Sequence, residues 1–407
     1  MRLCESPITI PFVTNHDALI ASSTPFTIST HTTTTTAAAA AMAGRRISAV
    51  IFDLDGTLLN TEQVTKDLLK EFLVGYGKVV DMEKENKRMG MIHHESAIAI
   101  VKDYDLPITP QQYSQSIMPM YHERWLQAKP LPGVNRLMKH LQKQGIPFAL
   151  ASNSVKKNVL VKVSSQEGWG ESFSVILGSD EVKSGKPSPD LFLEAASRMG
   201  VDASSCLVIE DSLVGIKAGK AANMQVVAVP SIQTESNEYS IADYVIHSFL
   251  DFQPQIWGLP LFDDWVMKAL PIDPIRFKGS YKNGFLEEIS DNTASDIPGQ
   301  AWGVYFGWVD FDSPDRFKIV VSIRWDCTCG SFRRNILSLQ QACVINGSNE
   351  QICDRQIEVA LVGYIRGFQT MQNPLTDAQI LDDDKSIAEA CLDSAAYSYH
   401  RCSPAKL

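Results

Sequence analysis

The chain has 407 residues, 44% hydrophobic and 21% charged, which points to two or more domains with cores of their own. A net charge of -10 without a Lys/Arg block excludes a nucleic-acid backbone binder, and no apolar run reaches the roughly 18 residues of a membrane span. The eight cysteines form no paired CxxC, so a reducing compartment is expected, and Cys327-Thr328-Cys329 alone is no zinc site.

Residues 1–46 are a Ser/Thr/Ala-rich lead with Glu5 and Asp17 as its acids, ending in HTTTTTAAAAAMAGRR. This composition predicts disorder. It suits a plastid transit peptide, and equally a leader ahead of a working start at Met42; the cytoplasm is the default location and the chloroplast the alternative.

The first strand signal is VIFDLDGTLLNTE, residues 50–62, an apolar run that delivers Asp53 and Asp55 two positions apart. Period two places both carboxylates on one side of an extended segment. From 61 to about 130 the pattern is helical, as in QVTKDLLKEFLVGYG, and reads as a cap inserted after the first strand. Within it Tyr76, Met89, Met91 and Trp125 read as cap core, and His93 and His94 as solvated or capping. Helical VNRLMKHLQKQG (134–145) and PDLFLEAASRMG (189–200), closed by Gly145 and Gly200, then alternate with IPFALAS, SVILG, CLVIED and VVAV. Such short branched runs are strands buried on both faces, so residues 47–254 are expected to form a Rossmann-like, doubly wound parallel α/β sheet.

Beyond it, 255–275 reads as a linker ending in the Pro-rich LPIDP (270–274). AWGVYFGWVDF (301–311), FKIVVSIRW (317–325) and IEVALVGYIRGF (357–368), with a charged helical tail at 376–396, predict a small β-barrel-like domain over 276–407.

Two carboxylates at one strand end repel unless a cation or a proton joins them. CLVIED brings Glu210 and Asp211 to the same sheet edge, and these acids together suit a hard cation, Mg²⁺. Ser152, Asn153 and Lys186, also at strand ends, offer the hydroxyl, amide and positive charge of a phosphate cradle. The order DLDGT, SN, GKPSPD, ED resembles the phosphatase branch of the haloacid dehalogenase-like hydrolase superfamily over residues 48 to about 250. The resemblance implies that Asp53 is the nucleophile and that Asp55 is a general acid and base, protonated near neutral pH in the first step. It also implies that Asp53, the Asp55 main-chain carbonyl, Asp211 and nearby Glu210 hold Mg²⁺, and that Ser152, Asn153 and Lys186 bind the phosphoryl oxygens.

The texture of LPGVNRLMKHL, ALASNS, SVILGSDEV, GKPSPDLFLEAA and CLVIEDS in front, with GVYFGW (303–308), VVSIRW (320–325) and VGYIR (362–366) behind, is similar to the plant bifunctional riboflavin kinase/FMN phosphatase family. That likeness implies a front domain hydrolysing FMN, or another small ester such as a sugar or glycerol phosphate. It implies a rear domain making FMN from riboflavin and ATP. The family's glycine-rich turn and Pro-Thr-Ala-Asn motif are missing from FKGSYKNGFLEEISDNTASDIPGQ (277–300), and its Thr-Ile-Glu stretch has no counterpart in residues 326–355. The rear domain is therefore expected to be degenerate and kinase-dead, its barrel incomplete, with ATP a partner only where the kinase works.

Overall fold

The computed structural model describes residues 46–88, 91, 93–230, 237–282, 285–288, 297–310, 316–323, 341–345, 356–368 and 379–397. The leader before residue 46, Met89, the CxC pair and most of 326–355 lie outside them.

The front domain is built on a parallel sheet of β1 (Ala49–Phe52), β2 (Phe148–Ala151), β3 (Val175–Leu177), β4 (Cys206–Glu210), β5 (Gln225–Ala228) and β6 (Tyr244–Val245), in the order β3-β2-β1-β4-β5-β6. All residues of β1, β2, β4 and β5 are buried, which is why these runs carry no polar alternation. The chain leaves β1 for β2 on one side and later returns to β4 on the other. The crevice between the carboxyl ends of β1 and β4 is thus the topological switch point, where open α/β sheets bind ligands.

Among the described residues, four helices occupy the insertion after β1: α1 (Thr61–Val74), α2 (Met82–Arg88), α3 (His93–Asp103) and α4 (Pro110–Trp125). Helices α1, α3 and α4 share a core that includes Leu69, Leu73, Ile100, Tyr113 and Ile117, so the cap is a small bundle in its own right. Helix α4 begins where it does because Thr109 Oγ1 accepts from the Gln112 amide at 3.2 Å and Gln112 Oε1 accepts from the Thr109 amide at 2.9 Å, with Pro110 in the first turn.

Helices α5 (Val134–Lys143), α6 (Lys156–Ser164), α7 (Trp169–Ser172), α8 (Asp190–Met199) and α9 (Leu213–Ala221) complete the front domain. Leu137 and Leu141 of α5 pack with Val50, Phe52, Leu150 and Ile209 on one face of the sheet. Leu191 and Phe192 of α8 and Ile216 of α9 pack with Ile51, Ala149 and Val208 on the other. The two-residue β6 left no periodic signal to read.

The rear domain consists of β7 (Leu270–Lys282), β8 (Phe285–Glu288), β9 (Gly303–Asp310), β10 (Arg316–Ile323), β11 (Gln341–Val344) and β12 (Gln356–Arg366) in a closed barrel, order β10-β11-β8-β7-β12-β9, with β9 also paired to β10. The expectation of an incomplete barrel is corrected. The altered stretch still supplies β11, whose Val344 sits opposite Ile319 and joins a core with Tyr281, Leu286, Tyr305, Val321 and Leu361. Phe306, Val320 and Val362 point to the opposite side of their strands and pack with Ala388, Cys391 and Leu392 of the closing helix α10 (Asp382–Leu392).

A second correction concerns LPIDP, which is the first stretch of β7 and not the end of a linker. Strand β8 pairs with β7 only at 279–282, so among the described pairings residues 270–275 have β12 alone beside them. Proline lacks an amide hydrogen and is tolerated on such a half-bare stretch.

The domains are fastened together. Leu250 of the front domain is buried in the barrel core, Tyr364 Oη donates to Asp251 Oδ1 at 2.6 Å, and Asn135 of α5 donates to Asp273 of β7 at 2.8 Å.

Candidate active site

Strand β1 ends at Phe52, and the Asp53 amide donates to the Ile209 carbonyl of β4 at 3.1 Å, tying the two strand ends together. The buried carboxylates of Asp53, Glu210 and Asp211 converge there, one oxygen from each within 4.8 Å of the others. Lys186 enters from the loop before α8, its Nζ donating to Asp53 Oδ1 at 2.6 Å and Glu210 Oε1 at 2.7 Å. Asn153 aims that loop: its Oδ1 accepts from the Lys186 amide at 2.8 Å and its Nδ2 donates to the Lys186 carbonyl at 3.2 Å. Ser212, the N-cap of α9, donates from both its amide and its hydroxyl to Glu210 Oε2, and Thr57 Oγ1 donates to Asp211 Oδ1 at 2.8 Å.

Two glycines make room for this packing. Gly56 has φ +82, where L side chains are strained, and a Cβ there would lie 2.4 Å from Asp211 Oδ2. At Gly215 a Cβ would lie 1.6 Å from Glu210 Oε1.

Burial pushes the Asp53 carboxyl up to about 7, with Glu210 and Asp55 adding to it and Lys186 opposing. Burial raises Asp211 as well, reinforced by Glu62, Glu210 and Asp53. Burial alone would lower Lys186, but Asp53 and Glu210 outweigh it and hold the ammonium well above its usual range. Among the described residues, Lys186 is the cation bonded within this cluster, and it reaches two of the three carboxylates. A buried, oxygen-only donor set short of positive charge fits a hard divalent ion such as Mg²⁺. Glu62, missed in the sequence, adds negative charge beside Asp211 from the first turn of α1.

Asp55 stands apart from the cluster. Partial burial opposes its charge, yet Lys162 Nζ, 2.7 Å from both carboxylate oxygens, and the hydroxyls of Thr61 and Ser154 hold it below the usual carboxylate range. The implied first step needs a proton on Asp55, whereas Lys162 beside it favours the carboxylate form, so that proton has to come from another group. Ser152 Oγ lies 3.5 Å from Asp55 Oδ2, a long contact, and accepts from the Ser154 amide at 3.1 Å. Lys162 was not foreseen. Its signal was its place on the buried face of α6 between Val159 and Val163, where a lysine needs a partner.

Above the carboxylates lies a cavity of about 770 Å³, ample for a small-molecule ligand. Helix α4 lines it with Ser114, Gln115, Met118, Tyr121, His122 and Trp125, one face at three- and four-residue spacing. Trp125 stacks on Tyr121 and lies 4.2 Å from Lys162 Nζ, so it is both buried and part of the wall. Met91 is exposed and lines the cavity, which corrects its reading as cap core, while His93 and His94, exposed in the first turn of α3 as expected of solvated residues, also line it. Tyr76 is partly exposed and packs on Phe72.

Residues 50–229 match the haloacid dehalogenase-like hydrolase family and residues 288–392 match the riboflavin kinase family. A bifunctional riboflavin kinase/FMN phosphatase of Arabidopsis thaliana is 39% identical over 371 residues, 88% of this chain and 96% of the relative. The chain belongs to the bifunctional riboflavin kinase/FMN phosphatase family. Within that family's two-part layout, the hydrolase match spans β1 to the end of β5 and includes Asp53, Lys186 and Asp211. A probable pseudouridine-5'-phosphatase of Drosophila melanogaster, 36% identical, covers 54% of this chain and is itself covered to 97%. Among solved structures, CbbY from Rhodobacter sphaeroides in complex with phosphate is 26% identical, with a TM-score of 0.44 over 50% of this chain and 96% of that one.

Proposed function

We propose that the front domain is a Mg²⁺-dependent phosphomonoesterase that hydrolyses FMN to riboflavin and phosphate. The observation that carries this reading is the convergence of Asp53, Glu210, Asp211 and Lys186 at the floor of the capped cavity. An Asp53 oxygen attacks phosphorus as the ester P–O bond breaks, forming an aspartyl phosphate, and water then hydrolyses it. Lys186 stabilises charge on the phosphoryl oxygens, while Asn153 keeps the Lys186 loop in place. Asp55 passes a proton to the leaving oxygen and recovers one from water. Held ionised by Lys162, it receives its first proton from the monoester, whose second pKa is about 6. Mg²⁺, when bound by Asp53, Asp211, Glu210 and the Asp55 carbonyl, would supply the charge that lets anionic nucleophile and anionic ester meet.

The rear domain, in this reading, has no kinase activity. The family's phosphate-gripping motifs are missing from 277–300, and its match begins only at residue 288, leaving 277–287 outside it. Phosphoryl transfer rests on positioning and charge, so loss of the clamp and the base leaves little rate. ATP-dependent conversion of riboflavin to FMN by the full chain would overturn this.

The test of the main reading is Mg²⁺-dependent phosphate release from FMN, beside Asp53→Asn and a panel of small esters. Release that vanishes in the variant is expected. Turnover of a nucleoside, sugar or glycerol phosphate with none of FMN would keep the mechanism and discard the flavin; the pseudouridine-phosphatase relative, which aligns with the front domain's length, supports that second reading.

A further inference from the structure

Among the described residues, the barrel touches the catalytic loop through one side chain. Ile297 and Ala301 are buried in the barrel core, and between them Gln300, 1% exposed, sends its amide across to the front domain. Its Nε2 donates to the Gly56 carbonyl at 2.9 Å and lies 3.4 Å from the Val229 carbonyl. With two carbonyl oxygens facing it, only the NH₂ end can make these contacts, which settles the orientation of the amide. Gln300 Oε1 has no partner among the described residues.

Both carbonyls belong to backbone that holds the site. Gly56 follows Asp55 directly and is wedged against Asp211, and its own amide donates to Leu59 O at 2.9 Å. Val229 follows β5 and its amide donates to the Glu210 carbonyl at 2.7 Å. One buried amide thus bridges the loop bearing Asp53 and Asp55 and the strand end adjoining Glu210. We propose that Gln300 is a positioning residue of the phosphatase, and that the barrel serves the front domain by supplying it. This deepens the phosphatase reading and rests on it.

The test uses the full chain. Gln300→Met keeps length and burial but donates nothing; Gln300→Glu keeps shape and sets a carboxyl against two carbonyls. Each is compared with wild type on whichever ester of the panel the wild type turns over best, so a wrong choice of FMN shows as a different preferred ester and leaves Gln300 still judged. Tyr364→Phe, which cuts an interdomain hydrogen bond to Asp251 without touching the loop, is the control. The expected result is a kcat lower by about five- to ten-fold in both Gln300 variants, the worth of one lost hydrogen bond, with KM little changed and Tyr364→Phe at wild-type kcat. Hydrogen exchange of the metal-free protein, read on peptides covering 53–59, should speed up in the Gln300 variants alone. Unchanged kcat and exchange in Gln300→Met, or an equal fall in Tyr364→Phe, would overturn the proposal. Were Gln300→Met unable to fold, the same comparison would be decided by Gln300→Glu.

Discussion

Removing divalent cations should make the protein lose stability as pH rises from about 5 to 8, and Mg²⁺ should abolish that loss. Asp53 carries the argument. Its carboxyl has an ordinary value of 3.8, and in the folded chain burial pushes it up to about 7. Between those values the native state keeps a proton that the unfolded chain has released, so stability is full below the lower value, falls across the interval and has lost this contribution once pH passes the upper one. The gap is about three units, and at about 1.4 kcal/mol each it amounts to about 4 kcal/mol in all, of which about 3 kcal/mol falls between pH 5 and 8. Asp211, raised by its burial and by Glu62, shifts in the same direction and deepens the loss. A divalent cation on the cluster favours the ionised forms and removes the gap. His93 and His247, which burial holds below their usual value, contribute stability that grows with pH near neutrality, but they do so with and without the cation. The difference between urea midpoints measured in EDTA and in Mg²⁺, taken at about pH 5, 6, 7 and 8, therefore isolates the carboxylates. Parallel curves would refute the reasoning, as would a chelated protein that gains stability relative to the Mg²⁺ form as pH rises.

Asp55→Asn should lower kcat by about 10² to 10⁴, the usual range for a lost general acid and base, without changing the circular dichroism spectrum. Gly215→Ala should cost about 1–3 kcal/mol by urea titration, because the new Cβ must displace Glu210 Oε1 or shift α9, and it should weaken Mg²⁺ binding measured by calorimetry. Leu250→Ala should cost about 2–5 kcal/mol, and with that side chain joining the domains the loss should appear in front and rear probes alike.

The parallel strands could be read from the sequence because burial on both faces leaves continuous apolar runs, and the cap because 61–130 held only helical spacing. The cluster of Asp53, Glu210, Asp211 and Lys186 followed from the rule that parallel strand ends gather on one edge. Four features were hidden for physical reasons. Strand β7 contains Pro271 and Pro274, which argue against a strand unless its half-bare stretch is known. Lys162 looks solvated until α6 is given its buried face. Glu62 approaches Asp211 only because the chain turns back at Gly56. Gln300 lies 244 residues from its partner Gly56, a separation that no local pattern spans.

The closed barrel has a consequence for how this chain tolerates change. A sheet whose strands close into a ring leaves open only short edges such as residues 270–275, so rewriting the connections between strands leaves the ladder and its core contacts intact. The 277–300 and 326–355 intervals, which lack the family's expected motifs, still contribute the end of β7, β8 and β11 to that ladder. A domain of this shape can shed its chemistry without shedding its fold. What it must then conserve is its ladder of strands and the short turn from Ile297 to Trp302 that faces the neighbouring domain.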